Sequence, residues 1–173
     1  MNKTFSEYGQ DNWVINQHRS KRNGFFVDVG CIHPLVKSNT ALLDNHYNWR
    51  GMCVGTHDVE SFNKRIYGKL DWSFRKNTTF IYDNPIQVDY EYVLESLGCR
   101  NCIDYLSIGL DLTPNTSHFI DIFPFDRFSV SLITIEMNLE DMDELGTKIV
   151  DLGYSLIKTT NTSIRFYRKN DRL

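Results

Sequence analysis

From Gly24 to Gly30 the chain reads GFFVDVG, in which Phe25, Phe26, Val27 and Val29 surround a single Asp28 and a glycine ends the run. So short and apolar a stretch predicts a strand buried on both faces of a parallel sheet, closing in a tight turn. After Cys31 to Pro34, either Ser38 or Asn39 is suited to cap a helix that runs from about Asn39 to Tyr47. The alternation then repeats. Met52, Cys53 and Val54 predict a second strand over 51–55, and Val59, Phe62 and Ile66 fall at helical spacing. TTFIYDN, from Thr78, predicts a third strand that Asn84 and Pro85 break, and DYEYVLESLG predicts a helix with Tyr92, Val93 and Leu97 on one side.

IDYLSIGLDL, from Ile103, reads as the fourth strand, and TPNTSHFIDIF opens a helix with Thr113 as cap and Pro114 at its first position. SVSLITIEMN is the fifth strand and brings Glu136 to its carboxyl end. EDMDELGTKIVDLG has acids in its first turn, as the helix dipole favours, and Gly153 stops it. The closing YSLIKTTNTSIRFYRK alternates and turns near Asn161, which predicts an antiparallel hairpin. At the other end, Trp13, Val14 and Ile15 follow candidate caps at Ser6 and Asp11, so a short helix within 1–23 lies over the sheet, with Gly24 as its stop. The whole pattern predicts an α/β, doubly wound, mostly parallel sheet with an antiparallel hairpin at the end, in a single domain over 1–173.

The 173 residues are 41% apolar and 24% charged, with a formal charge of −3. That balance suits a soluble globule and leaves no basic footprint for nucleic acid or anionic lipid. No apolar run approaches the roughly 20 residues that cross a bilayer, and the start MNKTFSEYGQ lacks a signal peptide's apolar centre. The expectation is a cytoplasmic protein with no membrane and no nucleic-acid partner. Its four cysteines are then expected as free thiols. Cys99 and Cys102 have redox spacing, but a redox motif follows its strand and opens a helix, whereas this one precedes a strand. A four-thiolate zinc site would need Cys31 and Cys53 from the opposite edge of the sheet, so no metal is expected.

With the elements in place, the residues resemble a known family. Ser6, Gly9, Gln10 and Asp11, then FVDVG, SNT, NWRGMCV, IDYLSI, FPFDRF and LITIEMN, occur in the order and wording of the FkbM family of S-adenosylmethionine-dependent methyltransferases, from about Ser6 to Tyr154. The resemblance implies the class I, Rossmann-like methyltransferase fold, with seven strands and a final hairpin. It implies methyl transfer to an oxygen of a small-molecule acceptor, a sugar or another small metabolite. It also implies S-adenosylmethionine contacts from Gln10, from Asp28, Gly30 and Cys31 in the first motif, from His33 in the turn, and from Ser38, Asn39 and Thr40. Gly55 and His57 stand after the second strand, where the family holds the ribose.

The sequence departs from the family there. Val54-Gly55-Thr56-His57 replaces a Glu followed by Pro-Asn, and losing one charged acceptor for the ribose hydroxyls is worth about 1.5 to 3 kcal/mol, a tenfold to hundredfold change in affinity. Gly109-Leu110-Asp111-Leu112 replaces Asp-x-Glu-Gly, and the stretch from Asp83 to Ile103 is short. Methyl transfer to a hydroxyl needs a base, for which Asp111, His33 and Glu136 are the candidates. Simpler roles stand beside these: a turn hydrogen bond for His33, a solvated loop position for His57, a helix cap for Asp111 and a loop hydrogen bond for Glu136. Tyr90, Tyr92, Phe123 and Phe125 read as core, with one available to stack on adenine. The alternative for the whole chain is a catalytically degenerate methyltransferase fold kept as a binding or interaction module.

Overall fold

The five residues of β1 (Phe25–Val29) are buried, and their side chains alternate between two cores. Phe25, Val27 and Val29 enter one, Phe26 enters the other, and Asp28 is the single charge in the strand. A strand so covered belongs in the middle of a sheet, and β1 pairs in parallel with β2 (Arg50–Gly55) on one side and β4 (Cys102–Gly109) on the other. With β3 (Thr78–Tyr82), β5 (Ser129–Glu136), β6 (Tyr154–Thr159) and β7 (Ile164–Lys169), the order is β3-β2-β1-β4-β5-β7-β6. The last strand inserts between β5 and β6 and is antiparallel to both, so the final hairpin folds back into the sheet rather than trailing from it. The computed structural model describes residues 4–55, 71–109, 116–136, 142–160 and 164–170, with 142 and 143 described in backbone alone. The helical stretch expected over 59–70, the Thr113 and Pro114 helix start and the turn at Asn161 lie outside those residues.

Helices α1 (Gln10–Gln17) and α2 (Ala41–Tyr47) cover one face, where Val14, Ile15, Leu42, Leu43 and Trp49 pack on Phe26 and Tyr105. Helices α3 (Tyr90–Ser96), α4 (Thr116–Ile122) and α5 (Met142–Asp151) belong to the other core through Tyr90, Leu94, Phe119, Leu145 and Ile149. Burying a side chain of this size contributes roughly 1.5 to 3 kcal/mol, so both faces are needed to hold the sheet. Among the described residues, no helix is long and apolar enough to cross a membrane.

Three local expectations change. Helix α1 begins after Gly9, in the left-handed region at φ 77°, and no side chain caps it. Asp11 lies inside its first turn, and there its buried carboxylate gathers the Phe5, Ser6 and Asn12 amides and the Thr4 and Ser6 hydroxyls. Gly24 stops no helix, since α1 ends at Gln17; a Cβ on Gly24 would lie 2.5 Å from the buried Trp49 ring. Tyr92 is 69% exposed, and α3 turns Tyr90 and Leu94 inward beside the half-buried Val93 and Leu97. Cys99 and Cys102 flank the entry to β4, with the Cys99 thiol donating to the Cys102 carbonyl at 3.6 Å.

Candidate functional site

The sheet order reverses at β1, whose parallel neighbours β2 and β4 continue in opposite directions, and such a point opens a crevice beyond the carboxyl ends of the strands. Gly30 makes the turn there at φ 86°, and its amide and that of Cys31 both donate to the Val54 carbonyl, at 2.9 and 3.1 Å. A Cβ on Gly30 would lie 1.8 Å from the Gly109 carbonyl oxygen. Glycine is therefore required by the close passage of the β4 end, a reason distinct from access for a ligand. Gly55 is similarly confined, its Cβ position lying 2.6 Å from the Cys31 carbonyl oxygen.

The loop from Cys31 to Thr40 is organised from within. The His33 Nδ1 accepts the Leu35 and Val36 amides at 3.0 and 2.9 Å, which leaves the ring proton on Nε2 in the neutral form. In this tautomer His33 offers a donor rather than a base. Burial lowers its pKa from the ordinary 6.5, because a ring that takes up a second proton loses hydration there. The unfolded chain then takes up this proton before the native state does, so the stability His33 contributes is complete above pH 6.5 and declines as the pH falls below it. The unfolding midpoint of wild type minus that of His33→Ala is expected to shrink from pH 7.5 to 5.5; a constant difference would remove His33 as the clasp of this loop.

Ser38 accepts the Ala41 amide at 3.1 Å and so caps α2, while Thr40 occupies the N-cap position with no side-chain bond of its own to the helix. Both hydroxyls also meet Arg75. Its guanidinium, with no exposed side-chain surface, donates from Nε to Asp44 at 3.1 Å, from Nη1 to the Pro34 carbonyl and Ser38 Oγ at 3.0 and 3.1 Å, and from Nη2 to Thr40 Oγ1 at 2.9 Å. The Thr40 hydroxyl in turn donates to Asp28 Oδ2 at 2.8 Å. Burial raises the Asp28 pKa from 3.8, opposed by Thr40, by the charge of Arg75 and by Ser107. The sulfurs of Cys31 and Cys53 and the Asp28 carboxylate lie within 4.8 Å of one another. That spacing suits a soft metal, but Arg75 Nη2 is 3.9 Å from Cys53 Sγ, and a guanidinium there repels a second cation. The hydrogen bond to Cys53 and burial push the Cys31 thiol well above its ordinary value.

Asp28, Gly30, Cys31, His33, Ser38, Asn39, Thr40 and Gly55 thus converge around one turn. Asn39 spans to β4 by donating to Ser107 Oγ at 2.9 Å, and half-buried Glu136 ends β5 opposite Gly109. Gln10 is buried in the first turn of α1 and its Oε1 accepts the Tyr8 amide. His57 and Asp111 lie outside the described residues. Tyr90, Phe123 and Phe125 join Phe119 in a ring cluster within the α3 and α4 core. Sequence reasoning missed Arg75 and Asp44. An acid directly after Ala41-Leu42-Leu43, on a helix packed inward, was a findable signal that a distant cation must meet it.

No family model matches the chain, and no curated protein matches it in sequence. Solved structures do match in fold. An S-adenosylmethionine-dependent O-methyltransferase from Thermotoga maritima superposes with a TM-score of 0.56 at 12% identity, over 100% of this chain and 69% of that one. The fold is that of the class I methyltransferases. An RNA methyltransferase from Salinibacter ruber, crystallised with S-adenosyl-L-homocysteine, shares this methyltransferase fold with a TM-score of 0.54 at 9% identity, over 95% of this chain and 91% of that one. A protein named as a sarcosine dimethylglycine methyltransferase, from Galdieria sulphuraria, gives 0.50 at 12% identity over 87% of this chain, which spans 61% of that protein's length. Identities this low speak to the methyltransferase fold and not to an acceptor.

Proposed function

We propose that this chain is an S-adenosylmethionine-dependent methyltransferase of FkbM type that methylates an oxygen of a small acceptor, such as a sugar. The observation that carries the proposal is the Gly30 turn, held against Gly109 at the point where the sheet order reverses, with the Asp28 carboxylate buried at its base. The donor set fits such a cofactor: a carboxylate beneath, a ring N–H on His33 and the Asn39 amide on the loop facing β4. The cofactor supplies a methyl group on a positively charged sulfur, ready for in-line transfer to a nucleophile. The chain's part is to align an acceptor hydroxyl with that methyl and to take its proton as the oxygen–carbon bond forms. Glu136, a carboxylate at the end of β5, is the proton acceptor we assign, with Asp111, outside the described residues, as the other carboxylate the sequence offers.

A second reading, a degenerate fold serving as a binding module, is favoured by one observation: the Ser38 hydroxyl is spent on Arg75 and the start of α2, and that of Thr40 on Arg75 and Asp28. Isothermal titration with S-adenosylmethionine and S-adenosylhomocysteine separates the two. Saturable one-to-one binding below about 1 mM, some 4 kcal/mol, is expected. No heat and no thermal shift at that concentration would leave only the module.

A further inference from the structure

We propose that Arg75 is a positioning residue for the cofactor pocket, its guanidinium holding the Pro34–Thr40 loop and, through the Thr40 hydroxyl, the orientation of Asp28. The inference rests on the methyltransferase reading above and adds a residue that no part of it includes. Arginine carries five N–H donors in a planar fork, and here each has a partner: Asp44, the Pro34 carbonyl, Ser38, Thr40 and the Cys53 sulfur. The partners come from the loop after β1, from α2 and from β2, while Arg75 itself stands just before β3. Its Cζ lies 5.6 Å from the centre of the Phe26 ring, which closes the remaining side of the group.

The two acids beside it are held differently. Asp44 is also satisfied by the Asn77 backbone and side-chain amides at 3.1 Å and by the Thr78 hydroxyl at 2.6 Å. Asp28 receives a hydrogen bond from Thr40, which itself accepts from Arg75. Two hydrogen bonds in series, through the one Thr40 oxygen, therefore transmit the guanidinium's position to the buried Asp28 carboxylate. The titratable and charged groups facing Asp28 are Arg75 from the segment before β3, Cys31 from the turn, Cys53 from β2 and Tyr105 from β4. Of these only Arg75 is cationic, and its charge draws the Asp28 pKa down against burial.

The test compares cofactor affinity as a function of pH in wild type, Asp44→Asn, Arg75→Lys and the double variant Arg75→Met with Asp44→Asn. The double variant removes both members of the Arg75–Asp44 ion pair, so that Asp28 is the one carboxylate of the cluster left without its cation and its titration is what the profile reads. Asp44→Asn alone is the structural control: it weakens the fold while leaving the affinity and its pH profile near wild type. The double variant is expected to bind S-adenosylhomocysteine about tenfold to a hundredfold more weakly than Asp44→Asn, with the acid limb of its binding profile moved to higher pH. Arg75→Lys keeps the charge but not the fork, so its acid limb stays near wild type while its affinity falls part of the way. Should the double variant match Asp44→Asn in both affinity and profile while wild type binds, Arg75 is only a fold element and this inference fails alone. Wild type that binds neither S-adenosyl ligand overturns the methyltransferase reading and this inference with it.

Discussion

Gly30→Ala is expected to cost the fold about 3 to 5 kcal/mol, a large share of the 5 to 15 kcal/mol that holds a typical domain. Two independent penalties meet at this position. Its φ of 86° lies in the left-handed region, which disfavours any residue with a Cβ by roughly 1 to 2 kcal/mol. The new methyl would also stand 1.8 Å from the Gly109 carbonyl oxygen, a backbone atom that moves only if β4 moves. Gly109→Ala is the matched comparison: among the described residues nothing lies closer to its Cβ position than the Val29 carbonyl oxygen at 3.8 Å, an ordinary contact, so a change within about 1 kcal/mol is expected. Denaturant midpoints of the two variants measure the asymmetry. Equal midpoints would mean that β1 and β4 are not pressed together as described, and the crevice between them would lose its geometric basis.

How far each feature could be read from the sequence follows from the range of the forces that set it. β1 was legible because five contiguous positions are buried on both faces, leaving no alternation to confuse with a surface strand. The mostly parallel sheet with its closing hairpin followed from the strand and helix alternation, whereas the order of the strands did not, and Gly153, at φ 86° after α5, is a stop that only a glycine signals so plainly. The inward face of α3 was legible only in part. Val93 and Leu97 do pack against the core, but Tyr90 and Leu94 rather than Tyr92 fill its centre, a choice made elsewhere, by the Pro85 carbonyl that accepts the Tyr90 hydroxyl and by the Phe119 and Phe123 rings. Asp11 looked like a cap because the residues it gathers are its near neighbours, yet the cap position falls two residues earlier, on a left-handed glycine.

The site divides along the same line. Asp28, Gly30 and the Ser38–Thr40 segment are close in sequence, so their convergence could be anticipated from a strand, a turn and a helix start. Arg75 reaches Pro34, Ser38 and Thr40 across 41, 37 and 35 positions, and no periodic pattern carries a partnership over that distance. What sequence can offer at such range is a deficit. Asp44 and Asp28 are both charges placed among apolar neighbours, and two buried carboxylates on one face require a cation from somewhere.

Asp28→Asn is expected to separate folding from function. Because burial lifts the Asp28 pKa above 3.8, the native state binds its proton more readily than the unfolded chain, and wild-type stability gains from this group as the pH falls from neutral towards 3.8. Ionisation of this buried carboxylate is therefore a cost, and asparagine, which keeps the shape and an oxygen for the Thr40 hydroxyl, removes it. Arg75 stays paired with Asp44, so no buried cation is left alone. The variant should unfold at a temperature equal to or above wild type at pH 7, with an advantage that narrows as the pH is lowered. Its affinity for S-adenosylmethionine should fall by roughly tenfold to a hundredfold, the loss of one charged hydrogen-bond acceptor at about 1.5 to 3 kcal/mol. Thermal unfolding across pH and titration calorimetry on the same preparation read the two effects separately. A more stable variant with unchanged affinity would place Asp28 in the scaffold alone, whereas a less stable one would mean that Thr40, Ser107 and Arg75 more than offset its burial.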